Sequence, residues 1–476
     1  MSIESLILIK AEIFLLLSIC FILIFDVFIS SSQRVITFWL SLAAVIITAI
    51  LSLSTLNNDT TILFSGSVVI DQISSMLKAF SSFLLAICFI YSKEYLISNK
   101  LFKGEYFVLS LFTLLGIFVM ISAHNLLVLY LGLEILALSL YTLIAFNRDS
   151  ATAIESAIKY FVLGAIASGS LLYGISFIYG VTGSIQFDLI NSYYEVNGSN
   201  SGVSLLALAF ILVALAFKFG AAPFHMWLPD VYQGSPAPVT LIIGTIPKIA
   251  AFAITWRFLV ESLGSLFINW QDIILVLIVA SLLLGNLVAI AQTNLKRMLA
   301  YSTISHVGYI LMGFVAGTPE GLSASLFYTL VYTLTAAAAF GMIIILSSKG
   351  KEAENIDDFS GLNDKSPWFA FLFLVVMFSM AGVPPFVGFY AKLLVLSSII
   401  DADMIWLAVI GVLTAVIGAF YYLRVIWYMY FNKPNNKFVP NGGLSFSNIL
   451  SINAIALIIL GFFPGILLTA CNYLLL

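Results

Sequence analysis

Glu134 lies in the stretch LYLGLEILALSLY, Lys218 in FKFGAAPFHMWLPD, Lys248 in GTIPKIAAF and Lys392 in SMAGVPPFVGFYAK. Each is an ionisable side chain in the middle of a long apolar run, too far from either end for its charge to snorkel out. A charge at the centre of a bilayer costs roughly 2.5–3.5 kcal/mol even on a lenient scale. One acid with three lysines is not a set of simple ion pairs. A buried salt bridge that fixes helix packing would use one lysine and leave two over. Desolvation weakens the hold of any amine on its proton, so buried amines are suited to taking protons up and handing them on. Proton transfer is therefore the chemistry this set fits.

Secondary candidates follow from the same logic. His306, in LAYSTISHVGYILMG, has Ser302 and Ser305 a turn or less behind it and reads as a relay. His225, two residues after Pro223, could relay or could satisfy backbone groups that the proline frees. His124 reads as a loop residue. Glu155 and Lys159 are spaced i, i+4 and share a helix face, either as a helix-end pair or as a further relay position. Lys10, Lys78, Arg257 and Arg424 lie nearer segment ends and read as interfacial anchors.

The elements that must hold these groups are membrane helices. The 476 residues are 62% hydrophobic and only 9% charged, with mean hydropathy +1.10; a soluble domain is about 25% charged. Apolar segments long enough to cross a bilayer recur end to end, about fourteen in all, among them 203–229, 238–261, 367–398 and 447–470. They are too long and too unbroken in hydropathy to be barrel strands. The first, with Glu12 and Asp26 near its ends, reads as a retained span. A net charge of −3 argues against a nucleic-acid partner. Cys20, Cys88 and Cys471 lie in apolar segments without CxxC spacing and read as packing residues.

The loops test the span count. Arg34, Lys93, Lys100, Lys103, Arg148, Lys296, Arg297, Lys349, Lys351, Lys365, Lys433 and Lys437 all fall in loops of one parity. The loops near 57–67, 123–124, 182–202, 262–271, 317–320 and 399–403 have no lysine or arginine. The positive-inside rule places the basic loops in the cytoplasm and both termini outside. The loop near 230–237 is silent. The long connector at 347–366 contains Asn355-Ile356-Asp357, a helix-cap pattern. Asn197-Gly198-Ser199 has the form of a glycosylation sequon.

Two segments echo each other. FGAAPF and AGVPPF each place small residues and then Pro-Phe within a long apolar run, with a lysine close by. Proline removes a helix hydrogen bond, so both helices should break there. Segments seven and twelve are five apart, and a five-helix unit repeated in tandem comes out inverted. Inverted repeats with helices broken at mid-membrane are a transporter arrangement, with the breaks pointing to the ion site. Gly164, Gly169 and Gly174 read as close helix packing. No GxGxxG, P-loop, HExxH or cysteine cluster occurs, so the chain is expected to bind no cofactor or metal.

These motifs carry a family resemblance. KFGAAPFHMWLPDVYQGSPAPVT, from Lys218 to Thr240, resembles the hallmark of the antiporter-like subunits of respiratory complex I and of multisubunit cation/proton antiporters. GTIPKIAAF, NLKRMLAYSTISHVGYILMG and AGVPPFVGFYAK are similar to the N-type subunits of NADH-quinone oxidoreductase. The resemblance covers roughly 90–476. It implies an all-α polytopic protein of about fourteen helices with two inverted five-helix repeats, helices 7 and 12 being broken. Three helices over 1–91 would precede repeats at 105–261 and 272–431, with a last helix over 447–476. It implies proton-transfer roles for Glu134, Lys218, Lys248 and Lys392, and further positions on the polar axis for His306 and Lys159. NADH, FMN, iron–sulfur clusters and quinone would be used by other subunits. Partners would be M- and L-type antiporter-like subunits, small membrane subunits, lipid and protons. The setting would be a bacterial inner membrane. A subunit of a sodium/proton antiporter is the alternative.

Overall fold

The computed structural model describes residues 3–30, 33–56, 59–198, 201–347, 350–434 and 443–475. Lys349, Lys437 and the sequon's Ser199 lie outside them. Among the described residues, thirteen helices are long and apolar enough to cross a membrane. Helices satisfy their backbone groups internally, as hydrocarbon requires. The remaining expected segment, 367–398, is two successive helices, Pro367–Ala381 and Val387–Asp401.

Three other segments are less regular than hydropathy implies. The run at 203–229 ends as a helix at Phe219, and a short helix, Trp227–Gly234, follows. The run at 238–261 is Ala237–Gly244, then Ile246–Thr255, then a π-helical stretch, Trp256–Ser262. The run at 447–470 is divided before Pro464 into Leu444–Phe462 and Gly465–Leu475. Hydropathy averages over such interruptions because prolines and glycines inside them are themselves apolar.

The chain forms two compact units. One comprises Met1–Phe89, Phe102–Lys218 and Ile249–Ile273; the other comprises Ile90–Leu101, Phe219–Lys248 and Ile274–Leu476.

In the first unit, helices Gly104–Ile121 and Leu126–Ile144 run antiparallel and nearly touch. A Cβ on Gly116 would meet Leu136 N at 2.5 Å, and one on Gly132 would meet Met120 N at 2.7 Å. Small residues let the backbones approach, which fixes the helix that carries Glu134. Gly174 lets its helix approach Ala207 and Ile211 in a similar way, whereas Gly164 makes room for the Tyr141 hydroxyl and Gly169 faces open space. At one end the loops knit into extended structure. Strands Thr61–Leu63 and Val68–Ile70 pair antiparallel, Val68 bridges Ala123, and Asn125 bridges Gln186. Ser265 joins them through Asn191, at 2.8 Å. The four loops of this unit expected to share one side therefore meet. The loop at 182–202 also holds a helix, Phe187–Asn197.

In the second unit the basic loops meet one another. Gly350 N donates to Asn99 Oδ1 at 2.9 Å, Leu295 N to Glu354 O at 2.5 Å, and Arg297 Nη1 to Asp230 Oδ1 at 2.7 Å. The silent loop near 230–237 thus lies on the basic side, where the parity of the spans requires it. Asn355 forms the expected cap: it and Asp358 make a reciprocal capping box on the short helix Ile356–Phe359.

Candidate functional site

Two helix breaks organise the site, and they are built alike. Helix Gly202–Phe219 ends, Gly220 follows at φ 78°, and a cis Ala222–Pro223 bond leads to Phe224. Helix Pro367–Ala381 ends, Gly382 follows at φ 83°, and a cis Pro384–Pro385 bond leads to Phe386. The left-handed glycine, the cis proline and the phenylalanine keep the same spacing in both. In that register Lys392 stands opposite Asp230, and Lys218 opposite Met380. The two breaks share a backbone design while their charges differ.

A broken helix leaves carbonyls without intrahelical partners. At both breaks a lysine takes the last one. Lys248 Nζ donates to Phe219 O at 2.8 Å, and Lys392 Nζ donates to Ala381 O at 2.8 Å. A cation at a helix C-terminus also opposes the negative end of the helix dipole. Both lysines are buried, and each ammonium faces an aromatic ring: Trp227 for Lys248 at 5.7 Å, Tyr309 for Lys392 at 5.3 Å. The first break is further held by Ser281 Oγ, which accepts from Ala222 N at 2.9 Å. Sequence reading found both lysines and both breaks. It missed that the lysines cap them, because neither lies where a helix-local pattern would predict a cap.

Lys248 begins just after an interruption of its own helix at Thr245, whose φ of −119° and ψ of −84° are not helical. Pro247 cannot donate an N–H, and Gly244 lies tight against the ring of Phe340. The helix is therefore broken at the lysine, which the sequence reading did not anticipate.

His306 is buried in helix Leu295–Val315 and bonded on both ring nitrogens. Nδ1 is 2.7 Å from the Tyr328 hydroxyl and Nε2 is 3.0 Å from the Tyr422 hydroxyl. Tyr422 also bonds Ser302. Hydroxyls can both donate and accept, so this is a continuous hydrogen-bonded chain of four groups. Ser302 was noted as a neighbour in sequence. The tyrosines come from other helices and left no local signal.

In the first unit, Glu134 and Lys218 are half-buried and within electrostatic reach of one another. They form no contact ion pair among the described residues. Oε1 of the Glu134 carboxylate is buried without a hydrogen-bond partner. Lys159 stands on the exposed face of helix Ala151–Thr182 and pairs with Glu155 at 2.9 Å. His225 keeps a buried Nδ1 without a partner, and His124 bonds Asp188 at 3.0 Å.

Four cations depart from expectation. Lys78 is buried and paired with Glu12 rather than anchored at an interface. Arg257 is buried and bonds Asp71 and Glu261, each at 2.6 Å, and Ile121 O at 3.2 Å. Arg424 bonds Ile290 O at 2.8 Å and Gln292 O at 2.5 Å, closing the end of helix Phe267–Ile290. Lys296, counted as a loop cation, is 1% exposed; it bonds Glu352 at 2.7 Å and Ser235 O at 2.8 Å. A sequence cannot reveal these partners, which lie up to 186 residues away.

Two carboxylates outside the spans respond to these partners. Burial pushes the Glu352 carboxyl upward, but Lys296, the Tyr95 hydroxyl and Ala237 N outweigh it and hold the group below the usual carboxylate range. Burial likewise raises Asp71, while Arg257 and Ser74 bring it down overall. Among the described residues, no three His, Cys, Asp or Glu side chains converge as a metal site.

Comparison with known proteins now bears on this arrangement. Residues 123–418 match the family described as NADH:quinone oxidoreductase/Mrp antiporter, TM. The NADH-quinone oxidoreductase subunit N of Thioalkalivibrio sulfidiphilus is 54% identical over 459 residues, covering 96% of each chain. A chain of respiratory complex I from Thermus thermophilus, solved with bound aureothin, superposes with a TM-score of 0.83 at 28% identity, covering 97% of this chain and 99% of that one. A chain of the Mrp complex from Dietzia sp. shares the fold, with a TM-score of 0.86 at 22% identity, over 99% and 97% of the two chains. With matches that run through both helix breaks and nearly the whole length, the chain belongs to the NADH:quinone oxidoreductase/Mrp antiporter transmembrane family, among its subunit N members.

Proposed function

We propose that the chain is the proton-translocating N-type membrane subunit of an NADH-quinone oxidoreductase. The observation that carries the reading is the pair of buried lysines, Lys248 and Lys392, each held on the open carbonyl of a broken helix. The near full-length identity to subunit N relatives supplies the setting. Glu134 and Lys218 act as a switchable ion pair. Closed, the carboxylate stabilises the ammonium; open, the ammonium yields its proton. The proton passes to Lys248, then through the hydroxyls around His306 to Lys392. Lys159 extends the axis at the Glu134 end.

The electrochemical drive arrives laterally from neighbouring membrane subunits of the M and L type and from small membrane subunits. Flavin, iron–sulfur clusters and the quinone site reside in other subunits. The repeats are 105–261 and 272–431, flanked by 1–91 and 447–476, and the matched breaks at Gly220 and Gly382 support them. The meeting of basic loops at one end supports a bacterial inner membrane orientation with both termini on the periplasmic side.

The deciding experiment uses the assembled complex reconstituted in vesicles. Glu134→Gln and Lys218→Ala should each leave the complex assembled and lower proton pumping per NADH oxidised. Undiminished pumping in both would sink the mechanism. The alternative is a subunit of a sodium/proton antiporter, supported by the shared fold with the Mrp chain. It predicts sodium–proton exchange by the purified assembly without NADH, which the N-type reading does not.

A further inference from the structure

One groove lies away from the proton-transfer residues, on the surface of the first unit. It opens between helices Lys10–Phe28, Gly104–Ile121 and Leu126–Ile144 and has a volume of about 490 Å³. That is within the roughly 300–1,000 Å³ range of pockets that hold a small ligand. Its lining is ordered along the helix axis. Lys103, Glu105 and Arg148 stand at one end, at the start of one helix and just past the end of its antiparallel neighbour. Leu23, Leu109 and Phe112 form the wall below. Phe112 is about 13 Å along the helix from Lys103 at 1.5 Å per residue. A polar mouth above so deep an apolar wall matches an amphiphile rather than a soluble metabolite. Leu23 is 47% exposed, so the wall opens to the acyl region.

The charges at the mouth narrow the headgroup. Among the described residues, neither Lys103 nor Arg148 has an ion-pair partner. The nearby helix N-terminus is already taken: the Asp26 carboxylate packs on Gly104 and accepts from Thr37 Oγ1 at 2.7 Å. Two unpaired cations therefore face the mouth, together with one exposed carboxylate, Glu105. Basic pockets between membrane helices on the side of the basic loops recognise lipid phosphates. A glycerophospholipid with a neutral headgroup would leave Glu105 facing a like-charged phosphate. One with a primary amine gives Glu105 a partner.

We propose that this groove binds one aminophospholipid, with its phosphate between Lys103 and Arg148, its ammonium at Glu105 and one acyl chain along Leu109 and Phe112. None of these residues belongs to the proposed proton path, so the assignment stands apart from it.

The test uses the assembled complex in nanodiscs with a photoactivatable phosphatidylethanolamine probe, and peptide mapping of the label. The expected result is labelling of the peptide that spans 104–121. The double variant Lys103→Gln/Arg148→Gln should reduce it about 25-fold at equal assembled complex, from about fivefold for each cation. Unlabelled phosphatidylethanolamine should compete better than phosphatidylglycerol, and Glu105→Gln should abolish that preference. Labelling that is unchanged in the double variant overturns the site. Equal competition by the two lipids on the unaltered protein overturns the headgroup. Should the double variant fail to assemble, the competition and Glu105→Gln arms decide alone.

Discussion

Lys248 Nζ lies 2.8 Å from the main-chain oxygen of Phe219, the residue that follows Lys218 and ends its helix. One lysine therefore closes the helix whose last turn presents the other. Lys392 repeats the contact on Ala381 at the second break. These lysines have a structural duty beside the chemical one proposed for them, and substitutions can separate the two.

Lys248→Arg should keep the cap, because the guanidinium donates and stays charged, but it cannot release a proton at working pH. Lys248→Ala removes both. Both variants should lose proton transfer through this site by about 10²–10⁴-fold, the usual contribution of a positioned acid–base group. Only the alanine variant should also loosen the break. Dye-detected pumping against NADH oxidation reads the first effect, and hydrogen exchange over 217–223 reads the second. Pumping by the arginine variant at the native ratio would remove Lys248 from the path.

Gly382→Ala asks an L-residue to hold φ 83°, a strain of roughly 1–2 kcal/mol. Its Cβ would also stand 2.8 Å from Lys392 Cδ. The variant should assemble at reduced thermal stability and displace the Lys392 ammonium from Ala381 O. Pumping should fall further than stability does. A variant with lower stability and native pumping per assembled complex would show that the Lys392 position is not critical.

Glu352 gives the clearest pH dependence. Its carboxyl is held below its ordinary value in the folded chain, so it stabilises the fold as the carboxylate. That contribution is complete above an unfolded pKa near 4.3 and is lost as pH falls through the lower folded value. The connector at 350–366 should therefore become protease-sensitive on acidification below about pH 4, while Glu352→Gln should show weaker protection at neutral pH and little change with acid. Glu352→Ala leaves Lys296 buried and unpaired, at a cost of about 3–5 kcal/mol. Limited proteolysis across pH, followed by peptide mapping, checks both.

Arg257→Ala should impair folding more than function. It leaves Asp71 and Glu261 without their shared cation, again about 3–5 kcal/mol. The expected outcome is a fall in assembled complex, read by membrane yield at equal expression, with normal pumping by whatever assembles. Native yield would mean that water replaces the guanidinium without difficulty.

What the sequence made legible follows from how each feature is encoded. Span positions are encoded by hydropathy over some twenty residues, and all the expected segments recur. The breaks at Pro223 and Pro385 are encoded by residue types with strong backbone preferences, so Gly-x-x-Pro-Phe located them. The break at Thr245 also lies within a Gly-x-x-Pro, Gly244 to Pro247, but no phenylalanine follows that proline, so the echo between the other two segments did not mark it. Buried pairs were least visible. Lys296 and Arg257 resemble loop or interface cations by position, and only the fold brings Glu352 and Asp71 to them. The tyrosine partners of His306 were invisible for the same reason.

The contacts of Lys248 and Lys392 have a further consequence. A protonated lysine has three N–H bonds, and each of these two spends one on a carbonyl. A neutral amine still has two, with a lone pair in place of the third. Either charge state can keep hold of the helix end. In the proposed path the backbone at the breaks would stay still while protons come and go, and the rearrangement of each turnover would fall on the free face of the nitrogen.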